Sequence, residues 1–172
     1  MRGIAPFSIP APAPFDQLIS LSGRVAVVTG GSRGIGEAIV GRLAQAGAAV
    51  VVTARGKEAL DQIEAKIAAT GSTAIGVQAD AGSIEDARRV IDLAVSRFGR
   101  VDILVNNAAV FPGSLSIETS ERLWDRTLDT DLKGAFFIAK FAALKMIEGG
   151  RGGRIINILS TEILRPTGFL PA

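Results

Sequence analysis

The stretch TGGSRGIG, Thr29 to Gly36, sets glycines at 30, 34 and 36 between a short apolar run and a helical pattern. Bare backbone N–H groups at the start of a helix, with the helix dipole behind them, favour a bound phosphate. Glycine lets a ligand come close to that backbone. Gly30, Ser32, Arg33, Gly34, Ile35 and Gly36 are therefore candidate contacts to a phosphate-bearing cofactor. The same spacing also suits a tight strand-to-helix turn with no ligand, so the strand before and the helix after must carry the argument. At the other end of the chain, Ser160 follows the apolar run Ile155 to Leu159. In open α/β sheets, chemistry gathers at the carboxyl ends of strands, and Ser160 sits at such an end.

Some chemistries are excluded by what the chain lacks. It has no His, no Cys and no Tyr. Ser-His-Asp catalysis, thiol nucleophiles and the common zinc sites all fall away. The absence of Cys also fits a reducing, cytoplasmic setting. Formal net charge is +2, with Lys and Arg scattered among Asp and Glu. No basic stripe points to nucleic acid, and no stretch is apolar enough for a membrane span.

These candidates need elements to position them. Val25–Thr29, Ala49–Thr53, Thr73–Gln78, Val101–Asn107 and the closing Ile155–Leu159 read as buried strands. Helical patterns separate them. In the first, Ile35, Ile39, Leu43 and Ala46 share a face; in the second, Leu60, Ile63 and Ile67 do. The third opens on SIED, a capping box with Asp86 in place of Glu. A single long helix is expected over Ser120 to Ile147. Uninterrupted apolar strands alternating with helices imply a doubly wound, Rossmann-type parallel sheet of the α/β class, in the order 3-2-1-4-5. Residues 1–20 read as a proline-rich flexible arm, and 21–172 as the folded domain. Asp80 ends the third strand, where it is either a ligand contact or a turn and cap residue. Asn106 and Asn107 either meet a ligand or bond neighbouring strands. Asp102 reads as a solvated turn residue.

With the glycine spacing, Asp80, NNAA at Asn106–Ala109 and GRIIN leading to Ser160 in the same chain, the sequence resembles the short-chain dehydrogenase/reductase family. Its style is similar to 3-oxoacyl-[acyl-carrier-protein] reductases. The resemblance covers Leu21 to about Pro171. Ala109 departs from the family's NNAG. The resemblance implies cofactor contacts at Asp80, Asn106 and Ala108, a catalytic Ser at Ser160, and Asp131 at the position of the family's catalytic Asn. It implies hydride transfer between a nicotinamide cofactor and a carbonyl or alcohol substrate. It also implies a Tyr and a Lys after Ser160. The chain has no Tyr, and each Lys precedes Ser160. The expectation is thus a truncated, N-terminal portion of such an enzyme, inactive alone; the alternative is a non-catalytic nucleotide-binding or interaction module.

An acidic residue at the end of the second strand selects NAD in dinucleotide folds. Here that position is Ala54, followed by Arg55. With Arg33 in the loop, NADP(H) is expected over NAD(H), although solvated surface arginines are also common. Val110, Phe111 and Pro112 are candidate substrate-side residues. The aromatic long helix, which the family uses for dimer contacts, points to a homo-oligomer.

Overall fold

The computed structural model describes residues 19–112 and 115–160. The proposed arm, apart from Ile19 and Ser20, and the loop after Ser160 lie outside them.

Strands and helices alternate as β1 (Val25–Thr29), α1 (Gly34–Gln45), β2 (Ala49–Ala54), α2 (Lys57–Ala68), β3 (Ala74–Gln78), α3 (Ile84–Phe98), β4 (Ile103–Asn106), α4 (Glu121–Leu128), α5 (Ala135–Glu148) and β5 (Arg154–Asn157). The strands form one parallel sheet in the order β3-β2-β1-β4-β5. This is the expected doubly wound order.

Successive side chains on a strand point to opposite faces, and the core divides accordingly. Val27, Val51, Val77 and Leu104 pack with Val90, Ile91 and Ala94 of α3 and Ile138, Phe141 and Ala142 of α5. Ala26, Val28, Val50, Val52 and Val105 pack on the other face with Val40 and Ala44 of α1 and Leu60, Ile63 and Ile67 of α2. The register sets Val27 beside Val51 and Leu104, so each face is a continuous apolar floor. Burying one such side chain contributes about 1.5–3 kcal/mol.

Three expectations are corrected and one is refined. The buried stripe of α1 is Gly36, Val40 and Ala44, while Ile35 is 66% exposed. Gly36 has no room for a side chain, and its fit against the loop backbone turns the small-residue face inward. The helical stretch expected over Ser120–Ile147 is present as a continuous run from Glu121 to Glu148, but its middle, Asp129–Gly134, is a π-turn. There Gly134 rests against the carbonyl oxygen of Ala81, which a Cβ would strike. The capping box is half formed: Ser83 Oγ accepts from Asp86 N at 3.1 Å, but Asp86 Oδ2 accepts from Asp80 N at 2.8 Å. Finally, β5 is not buried; among the described residues it pairs only with β4, and Ile155 and Ile156 are exposed.

Candidate functional site

β1 runs straight into the glycine loop. Gly30 has φ +63° and Gly34 φ +56°, a region that favours glycine. A Cβ on Gly30 would lie 2.9 Å from Ala108 Cα, and one on Gly36 would strike the Gly30 carbonyl. The loop is thereby pressed against the segment after β4. Thr29 Oγ1 accepts from Asn107 N and Ala108 N, both at 3.0 Å. Asn107 Nδ2 donates to the carbonyls of Thr29 and Gly30 at 3.0 and 3.2 Å. Gly31 N donates to Thr53 O at 3.1 Å. The backbone is fixed from two sides before any ligand arrives.

Helix α1 then begins without a side-chain cap: Arg33 precedes it in extended conformation and offers no capping bond. The first N–H groups of a helix have no partner within it, and here they border a cleft of about 1260 Å³ at the carboxyl ends of the strands. Gly30, Ser32, Arg33, Gly34, Ile35 and Gly36 line one side. Ala54, Arg55 and Gly56 continue the wall from β2, and Asp80 to Ser83 from β3. Asn107 to Phe111 form the wall after β4, and α4 contributes Arg122, Asp125 and Arg126.

The chemistry of this surface suits a nucleotide. Uncapped N–H groups and the helix dipole favour phosphate oxygens. Arg33 and Arg55 are exposed and have no ion-pair partner among the described residues. Asp80 is held in place by its own loop: its Oδ1 accepts from Gly82 N at 2.9 Å. The turn reading of Asp80 is met by this bond, and the residue also lines the cleft.

Not every sequence candidate comes to the cleft wall. Asn106 is buried behind it, donating from Nδ2 to Ala135 O at 3.1 Å and to Asn157 Oδ1 at 2.9 Å. This ties β4 to β5 and to the start of α5. Asp131 lies in the π-turn, half-buried, and its Oδ1 accepts from Val110 N at 2.9 Å. Burial pushes its carboxyl up, against the pull of the Val110 N–H. Ser160 is exposed beyond β5, and neither it nor Asp131 lines the cleft.

The sequence reading passed over Thr29, Asn157 and the α4 residues Arg122 and Arg126. A β-strand ending in Thr directly before a glycine loop was the available signal for the first. Asp102 corrects the reading as a solvated turn: it is 5% exposed and accepts from Val25 N at 2.9 Å, Arg24 Nη1 at 3.2 Å and Arg100 Nη2. Burial works against its charge, yet the bonds from Arg100, Val25 N–H and Arg24 hold its carboxyl below the usual range.

Known proteins share this arrangement. The chain is 45% identical over 150 residues to an uncharacterized oxidoreductase of Methylorubrum extorquens, covering 86% of this chain and 59% of that protein. It is 38% identical over 144 residues to a 3-oxoacyl-[acyl-carrier-protein] reductase of a Synechocystis strain, covering 83% and 58%. A crystal structure of a putative short-chain alcohol dehydrogenase from Sinorhizobium meliloti superposes with a TM-score of 0.84 at 41% identity, covering 88% of this chain and 60% of that one. The chain thus spans about three fifths of the length of these curated relatives. The family model described as short chain dehydrogenase matches residues 24–172, and the chain belongs to that family.

Proposed function

We propose that this chain is the nucleotide-binding part of an oxidoreductase that takes NADP(H) in preference to NAD(H) and acts on a carbonyl or alcohol substrate. The observation that carries the cofactor choice is the pair Arg33 and Arg55 on the cleft, with Ala54 where a carboxylate would select NAD. A guanidinium suits a phosphate monoester through charge-assisted bonds. Gly30, Ser32, Gly34, Ile35 and Gly36 would hold the bridging phosphates, Arg33 and Arg55 the 2′-phosphate and Asp80 the adenine, with Ala108 a further cofactor contact beside Gly30. Asn106 acts from behind the wall by fixing β4 against β5.

A bound nicotinamide would supply or accept the hydride. By resemblance Ser160 would orient the substrate oxygen, from beyond the cleft wall, and Val110 and Phe111 line the cleft on the substrate side. Reduction of a carbonyl also needs a proton at the developing alkoxide, and a positioned acid contributes about 10²–10⁴-fold. Ser160 is too weak an acid for that step. A carboxyl at Asp131 engaged with Val110 N–H is not aimed at a substrate. By resemblance the acid is a Tyr activated by a Lys, and these 172 residues contain no Tyr. The reading therefore expects nucleotide binding, without turnover, from these residues alone.

Calorimetric titration with NADPH and NADH tests the choice of nucleotide. Equal affinities, or tighter NADH, would sink it. The same reading assigns the exposed apolar surface of α5 and β5, including Phe136, Ile147 and Ile156, to a contact with a second copy. Light scattering after size exclusion should find dimers or larger species; a clean monomer at high micromolar concentration contradicts that assignment.

A further inference from the structure

Among the described residues β3 is an outer strand of the sheet. An outer strand leaves N–H and C=O groups on its free side without a sheet partner. At the carboxyl end of β3 that free side is occupied by two side chains of α3. Arg89 Nη2 donates to the Gln78 carbonyl at 2.7 Å, and Asp86 Oδ2 accepts from Asp80 N at 2.8 Å. The two side chains are also joined to each other: Arg89 Nη2 and Nε donate to Asp86 Oδ1 at 2.6 and 3.2 Å. A neighbouring parallel strand would supply one donor and one acceptor to the same two groups, so the ion pair stands in for a strand. The bond from Asp80 N–H, with Arg89 beside it, holds the Asp86 carboxyl below the usual carboxylate range against the opposing effect of burial. On its other side the segment meets the end of β2. Ala79 N donates to Ala54 O at 2.9 Å, and Gln78 Nε2 donates to Arg55 O at 2.9 Å. A continuous set of bonds thus runs from Arg55 through Gln78, Arg89 and Asp86 to Asp80. Arg55 and Asp80, its two ends, line the cleft, and the three residues between them do not.

We propose that Gln78, Asp86 and Arg89 are positioning residues for nucleotide choice: they clamp the ends of β2 and β3 together, fix where Arg55 and Asp80 stand relative to each other, and so support the preference for a 2′-phosphorylated adenosine. The proposal rests on the cofactor reading above, while the clamp itself is a feature of the fold. Its two arms act on different parts of the nucleotide. Gln78 holds the backbone of Arg55, which on that reading meets the 2′-phosphate, a group NADH lacks. Asp86, steadied by Arg89, holds the backbone of Asp80, which meets the adenine that both nucleotides carry. Gly82 N donates to the Asp80 carboxylate at 2.9 Å, so backbone and side chain of Asp80 are both fixed from the β3–α3 loop. Gln78 and Arg89 are exposed, and exposed polar pairs contribute little singly; the effect on binding is therefore modest, and it is distinguished by its pattern across the two nucleotides.

The test uses the full chain with Gln78→Met, Asp86→Ala and Asp86→Asn, calorimetric titration with NADPH and NADH, and amide hydrogen exchange at Asp80. Gln78→Met keeps the length of the side chain and removes the donor to Arg55 O. It should weaken NADPH about fivefold and leave NADH within about twofold, so that the ratio of affinities falls. A merely structural role would lower both alike. Asp86→Ala frees the Asp80 N–H. It should weaken both nucleotides about fivefold and speed exchange at Asp80 about tenfold. Asp86→Asn keeps an acceptor for that N–H and should return both values toward the parent's. A folded Gln78→Met chain with the parent's NADPH-to-NADH ratio overturns the proposal, as does a folded Asp86→Ala chain that binds both nucleotides as the parent does. A parent chain that binds neither nucleotide, or NADH as tightly as NADPH, overturns the cofactor reading instead; exchange at Asp80 then decides the clamp, equal rates in the parent and Asp86→Ala counting against it. If Asp86→Ala does not fold, the ratio measured in Gln78→Met decides alone.

Discussion

At the amino ends of the strands, Asp102 gathers the starts of β1, β4 and β5. Its carboxylate accepts from Val25 N–H, Arg24 and Arg100, and its own carbonyl accepts from Arg154 N at 2.8 Å. At the carboxyl ends the same kinds of group are present in the opposite condition. Arg33 and Arg55 border the cleft without carboxylate partners among the described residues, and α1 starts without a side-chain cap. Buried polar groups are generally bonded, and the amino edge meets most of that demand within the chain, with Arg100 Nε buried and unpartnered among the described residues. The carboxyl edge leaves cations and N–H groups in solvent, open to an anion. One edge of the sheet is thus committed to the fold, and the other is the one proposed to take the ligand.

The comparison breaks most readily at Asp102. Asp102→Ala removes the acceptor of a buried N–H and the partner of two arginines. Arg24 is half exposed and Arg100 a quarter so, which limits the electrostatic part. The expected loss is about 2–3 kcal/mol of stability, read as a lower urea midpoint, with NADPH affinity of the folded fraction within about twofold of the parent's. A large loss of affinity at equal folding would show that the two edges are not separable.

Arg55→Asp is the converse. Arg55 supports no other described residue through its guanidinium, so stability should move by no more than about 0.5 kcal/mol. NADPH binding should weaken by about tenfold to a hundredfold, with NADH gaining through the new carboxylate. Competition between the two nucleotides reads the change. Unaltered preference would mean that Arg55 is a solvated surface group.

Much of this was legible in the sequence because it is local. Val25–Thr29 is a β-branched run followed by glycines, and β1 has those bounds. The glycine loop carried its own context of strand and helix. What escaped depends on distant partners or on fit. Asp102 and Val25 are joined across 77 positions, and Asn106 and Asn157 across 51, so neither pair has a local pattern. The π-turn keeps the apolar rhythm of a helix, and its cause, Gly134 against Ala81, is tertiary. The buried face of α1 follows Gly36 and its close approach, which a hydrophobic pattern overlooks. Asp131 was legible as a departure from the family's residue, but its bond to Val110 was not.

Two helix starts sharpen the comparison within the carboxyl edge. α3 has what α1 lacks: Ser83 Oγ accepts from Asp86 N. Ser83 lines the same cleft, yet its oxygen already serves the helix. Ser83→Ala should cost about 1 kcal/mol of stability and leave NADPH affinity within about twofold. A tenfold loss of affinity would place Ser83 among the ligand contacts.

The smallest expected effect contrasts the carboxylates of the two edges by their response to pH. The Asp102 pKa is lowered in the fold. Its stabilisation is therefore present above the unfolded pKa, near 4, and is lost as pH falls through the folded value. The Asp131 pKa is raised, chiefly by burial. The folded chain then holds that proton more tightly than the unfolded one, so stability falls as pH rises from the unfolded pKa, and the full cost of ionisation is present above the folded value. Asp131→Asn removes this cost while keeping an acceptor for Val110 N–H. It should stabilise the chain at neutral pH by about 0.5 kcal/mol or less, because solvent screens a half-exposed carboxylate. The gain should shrink as pH falls below the folded Asp131 pKa, where the parent carboxyl is itself neutral. Asp102→Asn should do the reverse, destabilising at neutral pH and converging with the parent in acid. Urea midpoints of the three chains between neutral and acid pH distinguish these signs; an Asp131→Asn chain less stable than its parent at neutral pH would mean that the ionised carboxylate contributes more through Val110 than it loses to burial.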